Sequence, residues 1–204
     1  MLRIIALIAA ITLLTGCLPS PKYNVKMIED KFSESAALTY YSERNLVADV
    51  PIMGETHFGS HGLYINPMVK RGVNGEVSSI TLRIKHESGF PEKQEYARLK
   101  NIGRIISVVF RTNDKTVIEL RASAIKSALM VREMSNSSSQ ASFAIVSITQ
   151  EEFKNIATAD TISIKVSGSM TDTIYEDEEI NASFKENMRS FYTQYIIGNA
   201  PEIK

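Results

Sequence analysis

The sequence predicts a mainly β protein with two helices, built as an antiparallel β-sandwich or a partly open barrel. Three observations carry that expectation. Apolar and polar residues alternate at period two in several short runs, as in Ile80, Leu82 and Ile84 against Thr81, Arg83 and Lys85, the signature of a strand with one wet face. Polar turns separate these runs, giving seven or more short strands. Two capping patterns open helical stripes, one near 150–158 and one near 183–197.

The elements follow in order. Leu18-Pro19-Ser20-Pro21-Lys22-Tyr23-Asn24 carries two prolines and little apolar pattern, so 17–30 is expected as a tether and 31–204 as a single β-rich domain. Residues 25–51 are ambiguous: Met27, Phe32, Ala36, Leu38 and Tyr40 allow alternation, while 33–47 also passes for a helix. Thr39-Tyr40-Tyr41 tips the expectation towards extended structure over 31–41. Gly54, Gly59, Gly62, Pro67, Gly72 and Gly75 crowd into 52–75, which reads as irregular. Within it, Leu63-Tyr64-Ile65 suits a short strand ended by Asn66-Pro67, and Asn74-Gly75 a tight turn.

After Ile80, Leu82 and Ile84, the trio Ile106, Val108 and Phe110 repeats the strand pattern, with a turn at Thr112-Asn113-Asp114-Lys115 and a hairpin partner over 117–121. Leu129-Met130-Val131 and residues 143–148 form a second pair around the polar loop Ser135-Asn136-Ser137-Ser138-Ser139. Ile162, Ile164 and Val166 alternate again. Thr149-Gln150-Glu151-Glu152 is a capping box: the threonine hydroxyl takes the Glu152 amide while the Glu152 carboxylate reaches back. Phe153, Ile156 and Ala157 then share one face of a helix ending near Asp160. Ser183 to Glu186 repeats the capping spacing, ahead of an aromatic stripe of Phe184, Met188, Phe191, Tyr192 and Tyr195 that is expected to pack on a sheet, with Gly198 as the stop.

The N-terminus has its own logic. Arg3 is the sole charge before Cys17, an apolar run fills 4–14, and Leu14-Thr15-Gly16-Cys17 follows. The run is shorter than the ~20 residues a spanning helix needs. This stretch resembles the lipobox of bacterial lipoproteins. The resemblance covers the first seventeen residues and implies a signal peptide over 1–16, cleavage between Gly16 and Cys17, and a diacylglyceryl group on the Cys17 thiol. Leu18 follows the cysteine, where inner-membrane lipoproteins often carry aspartate, so the resemblance implies an outer-membrane address on the periplasmic face. One acyl chain binds a membrane only marginally, but the two or three usual in this family anchor it stably.

Composition then excludes several classes. Removing Arg3 with residues 1–16 leaves 22 basic and 23 acidic side chains on 188 residues, a net charge of −1. That balance argues against a nucleic-acid partner and gives no electrostatic steering towards anionic lipid. Cys17 is the single cysteine, so no disulfide, redox motif or thiolate metal site is available once it is acylated.

The residues that chemistry would use are sparse. His57 and His61 lie four apart with Glu55 nearby, a spacing that on a helix lets two imidazoles and a carboxylate share a metal. Gly59 and Gly62 argue against a helix there, so loop histidines and no metal are expected. His86 ends a run of strand residues and is expected to face solvent. Ser60 adjoins His61, and Gly168-Ser169 follows a strand, yet neither forms a nucleophile elbow, and no phosphate loop is present, so neither catalysis nor a nucleotide cofactor is expected. Glu176-Asp177-Glu178-Glu179 lacks the glycine of a calcium loop and reads as a solvated charged edge; Lys70-Arg71 is too small for a lipid or nucleic-acid patch.

The expected function is therefore a lipid-anchored envelope module that acts by binding, as accessory or adaptor to an envelope assembly with a possible protein partner. The alternatives are a small-ligand carrier with an apolar cavity, or a metal-dependent hydrolase around His57 and His61. The loops at 135–139 and 52–75 are the expected binding surface, since loops on a rigid scaffold usually carry function.

Overall fold

A computed structural model describes residues 22–29, 38–49, 62–72, 74–90, 102–113, 115–123, 127–134 and 137–198. In chain order the strands are β1 (Asn24–Glu29), β2 (Leu38–Glu43), β3 (Leu46–Asp49), β4 (Gly62–Arg71), β5 (Val77–Phe90), β6 (Ile105–Thr112), β7 (Val117–Arg121), β8 (Ser127–Met134) and β9 (Ser137–Ile148), then β10 (Ile162–Gly168) and β11 (Asp172–Tyr175). Helix α1 (Gln150–Thr158) lies between β9 and β10, and α2 (Ala182–Phe191) follows β11 and runs on as a π turn, Tyr192–Ile196. Seven strands form one sheet in the order β1-β2-β4-β5-β9-β8 with β3 also on β4; the other sheet runs β11-β10-β6-β7. Every pairing is antiparallel and neither sheet closes on itself, so the architecture is sandwich-like and not a barrel.

The large sheet has one covered face. Its inward positions are Tyr40 on β2, Leu63, Ile65 and Val69 on β4, Ile80, Leu82 and Ile84 on β5, and Ala144, Val146 and Ile148 on β9, all buried. Towards the β9 and β8 side this face meets the small sheet, whose Val108, Phe110, Ile162, Ile164 and Val166 are buried opposite. Towards β2 and β3 it meets the helices: the Tyr40 and Tyr195 rings lie 5.2 Å apart, and Phe191 lies 5.1 Å from Tyr195 and 6.2 Å from Phe153. The aromatic stripe is thus core, as its spacing implies.

The N-terminal third departs from expectation. Asn24–Glu29 lies within the stretch expected as tether, yet it pairs along its whole length with Leu38–Glu43. Its Val25 and Met27 are half-buried against the core, and two apolar residues at period two suffice to hold an edge strand. Residues 38–49 are extended, not helical. Strand β2 and strand β3 both pair antiparallel with β4 and form one line broken at Arg44, whose φ is 61°. Asn45 fills that break. Its amide donates to Asn66 Oδ1 at 2.9 Å, its Nδ2 donates to the Ile65 carbonyl at 3.0 Å, and its Oδ1 accepts from Asn187 on α2 at 3.1 Å.

The same break explains Pro67. The expected strand over Leu63-Tyr64-Ile65 does not stop at Asn66-Pro67 but continues to Arg71. Pro67 pairs with Leu82 on one side, and on the other it lies between the last β2 partner, Met68, and the first β3 partner, Tyr64. No ladder donor is required there, so proline fits, as it does at bulges. The turn at Asn74-Gly75 forms as expected, with Gly75 at φ 78°.

Elsewhere the pattern holds with three corrections. On β6, Ile106 is half exposed while Ile105, Val108 and Phe110 are buried. The register against β10 slips by one residue there, which turns Ile106 outward. The loop expected at 135–139 is shorter, because Met134 pairs with Ser137 and β9 starts at that serine. Helix α2 begins at Ala182 behind Asn181, so the Ser183–Glu186 spacing lies inside the helix and does not cap it.

The capping box at Thr149 does form. Its hydroxyl accepts from the Glu152 amide at 3.2 Å, and Glu152 Oε2 accepts from the Thr149 amide at 2.9 Å. Phe153, Ile156 and Ala157 are buried, and the helix ends at Ala159. Thr149→Ala removes one half of this exchange and is expected to cost about 1 kcal/mol in urea unfolding. An unchanged midpoint would show that the box contributes nothing.

Candidate functional site

The residues on which the sequence reading placed chemistry fall into two groups. Cys17, Gly16, Glu55, His57, Ser60 and His61 lie outside the described residues. The others are placed and take structural roles. Among the described residues no three His, Cys, Asp or Glu side chains gather into a group that could hold a metal.

His86 is a correction. It does not end a strand or face solvent; it sits within β5 and is 2 % exposed. Its number shares parity with Ile80, Leu82 and Ile84, so the pleat turns it inward with them. Across the sheet it stands beside Leu63 on β4 and Ser142 on β9. Burial lowers its pKa to about 4, so the ring is neutral near pH 7, and its Nε2 has no hydrogen-bond partner among the described residues. The neighbouring Ser142 hydroxyl donates to the Gly103 carbonyl at 2.5 Å, which commits its proton to the backbone. The pair is therefore not arranged as nucleophile and base.

The acidic run forms a turn and not a strand edge, with Glu178 and Glu179 exposed, as expected of a solvated run, and Glu176 and Asp177 half-buried. Asp177–Glu179 form a 3-10 turn, with the Glu176 amide donating to Glu179. Asp177 Oδ1 accepts from the Ile162 amide and from Lys185 Nζ, each at 2.8 Å. Burial pushes the Asp177 carboxyl up, but Lys185 and the Ile162 amide outweigh it and hold the group below the usual carboxylate range. Glu176 accepts from Ser163 at 2.7 Å. Ser169 Oγ accepts from the Arg104 amide at 3.0 Å and ties β6 to β10.

Lys70 and Arg71 part company at the end of β4. Arg71 turns inward, where its guanidinium donates to the Gly198 carbonyl at 2.8 Å and the Ile196 carbonyl at 3.3 Å, closing the C-terminal end of the π turn. Lys70 points outward and is exposed.

That outward face of the seven-stranded sheet is what sequence reading missed. Register sorts its described side chains into rows: Ile28, Thr39, Lys70 and Ser79; then Lys26, Tyr41, Met68, Thr81 and Ser147. Beyond these come Asn66, Arg83 and Ile145, and then Tyr64, Lys85, Phe143 and Ala128. Tyr41, Tyr64, Met68, Phe143 and Ile145 are only half-buried, and Ile28 is 54 % exposed. Arg83 lies 5.6 Å from the Tyr41 ring centre and Lys85 5.6 Å from that of Tyr64. Lys26 pairs with Glu43 at 2.8 Å, and Lys85 pairs with Glu87. The available signal was the opposite phase of the same period-two runs that reveal the core.

The fold and these sites define a two-sheet antiparallel β protein with an aromatic and basic outer face on which no other described element packs. No protein-family model matches the chain, and no curated protein or solved structure matches it.

Proposed function

We propose that this chain is a lipid-anchored β-rich module of a bacterial cell envelope that acts by binding, as an accessory or adaptor to an envelope assembly. The observation that carries the reading is Leu14-Thr15-Gly16-Cys17 behind one positive charge and an apolar run. Cys17 bears the acyl chains and holds the domain at the periplasmic face of an outer membrane. A protein partner, not a substrate to be turned over, is the expected contact. The fold supports this reading in one respect: β1 starts seven residues after Cys17, so the anchor hands directly to a strand of the sheet.

Cys17→Ser is expected to abolish incorporation of labelled palmitate and to leave residues 1–16 uncleaved, read as a higher intact mass of the chain. Crosslinking in cells, with the same variant as control, tests the adaptor role. A discrete protein captured by the anchored form alone is the expected result. Turnover of a substrate by the purified chain, with no partner present, would contradict it.

A further inference from the structure

Among the described residues the large sheet is layered on one side only. Its inner face is covered by the small sheet and the helices, whereas across β1, β2, β4 and β5 its outer face carries Lys26 on β1, Lys70 on β4, and Arg83 and Lys85 on β5. Among the described side chains of these strands the carboxylates on that face are Glu43 and Glu87, each already paired with a lysine. Lys70 and Arg83 are left as surplus positive charge, on a chain whose total basic and acidic counts are equal at 23 each. Half-exposed aromatic and aliphatic side chains separate these cations: Tyr41 and Met68 in one row, Ile145 and Phe143 in the next two, and Ile28 on β1.

We propose that this face docks on an anionic phospholipid surface. Lys70 and Arg83 contact headgroup phosphates, while Ile28, Met68 and Ile145 lie at the boundary with the acyl region. Tyrosines beside cations suit such a surface, because an amphipathic ring presents an apolar body and a polar tip. The assignment rests on the anchored reading above for its geometry. Six residues, 18–23, lie between Cys17 and the first residue of β1, and seven steps of fully extended chain reach ~25 Å at most. Strand β1 is an edge of the same sheet, so the leash holds the basic face within a few Debye lengths of the bilayer. Anchor and face then act as two linked contacts, and the second restrains how the domain stands on the membrane.

The test uses the full chain carrying Cys17→Ser, which removes the acyl anchor. Co-sedimentation with mixed phosphatidylglycerol–phosphatidylcholine vesicles is compared with pure phosphatidylcholine vesicles. The expected result is an excess of binding to the anionic vesicles that is lost on adding salt and is lowered on the order of tenfold or more by Lys70→Glu with Arg83→Glu. The apolar run at 4–14 is common to all variants and to both vesicle types, so the quantity read is the excess of binding to anionic over neutral vesicles. Lys70→Gln with Arg83→Gln repeats the comparison with less change, and circular dichroism checks that each variant folds. Equal binding to both vesicles, no binding to either, or binding indifferent to both double variants overturns the proposal. So does an acidic protein captured through these two residues without vesicle binding. Absence of an acyl mass on wild-type Cys17 would instead overturn the anchor while leaving the vesicle result intact.

Discussion

Phe191→Ala is expected to destabilise the domain by about 3–5 kcal/mol, the cost of emptying a large aromatic site in a packed core. Phe191 is fully buried at the end of α2 and touches two elements at once. Its ring centre lies 5.1 Å from Tyr195 on the π turn and 6.2 Å from Phe153 on α1, while Tyr195 in turn meets Tyr40 on β2. The chain of rings links both helices to the sheet. Urea unfolding by circular dichroism should show a lower midpoint with an unchanged slope. A loss below about 1 kcal/mol would mean that the helices are not held by this contact.

His86 makes the second large effect one of pH. An imidazole has a pKa near 6.5 in an unfolded chain, and burial in β5 lowers it to about 4. The folded state therefore resists the proton that the unfolded state accepts. Stability from this group is fully present above pH 6.5, falls as pH drops below that value, and stops falling near pH 4 when the folded imidazole is protonated as well. The full difference amounts to about 3 kcal/mol. Comparing unfolding at pH 7 and pH 4.5 isolates it, provided the wild type is set against His86→Leu, which keeps the bulk and removes the titration. The wild type should lose about 2–3 kcal/mol more than the variant over that interval. Equal losses would show that His86 is solvated in both states.

His86 also shows how sequence reading fails. The period-two rule that placed Ile80, Leu82 and Ile84 in the core also places residue 86 there, and only residue type argued otherwise. Histidine is more often exposed than buried, and here pleat parity prevailed over that tendency. Pro67 failed for the opposite reason: proline was given its general meaning as a strand breaker, whereas the interruption of the neighbouring strand at Arg44 removes any need for its amide. No local pattern announces a break in a partner strand 23 residues away.

Register slips are equally non-local. Ile106 was read as core because it alternates with Val108 and Phe110, but one bulged residue against β10 reverses the phase. The Ser137 to Ser139 run lacks apolar residues, yet it pairs with Gly89 and its neighbours on one side and with β8 on the other. Three local signals were read accurately, since the Thr149 box, the Asn74-Gly75 turn and the helical stripe from Phe184 to Tyr195 all form, whereas the Ser183–Glu186 spacing, equally local, falls inside α2. The basic face was hidden because its cations are scattered between positions 26 and 85 and meet only through strand order.

The central claim, anchoring through Cys17, is tested most directly by the intact mass of the protein purified from bacterial membranes. The account predicts a chain beginning at Cys17 with a diacylglyceryl mass on its thiol, traced to that residue by peptide fragmentation. A chain that retains residues 1–16, or one that begins elsewhere with an unmodified Cys17, would contradict it.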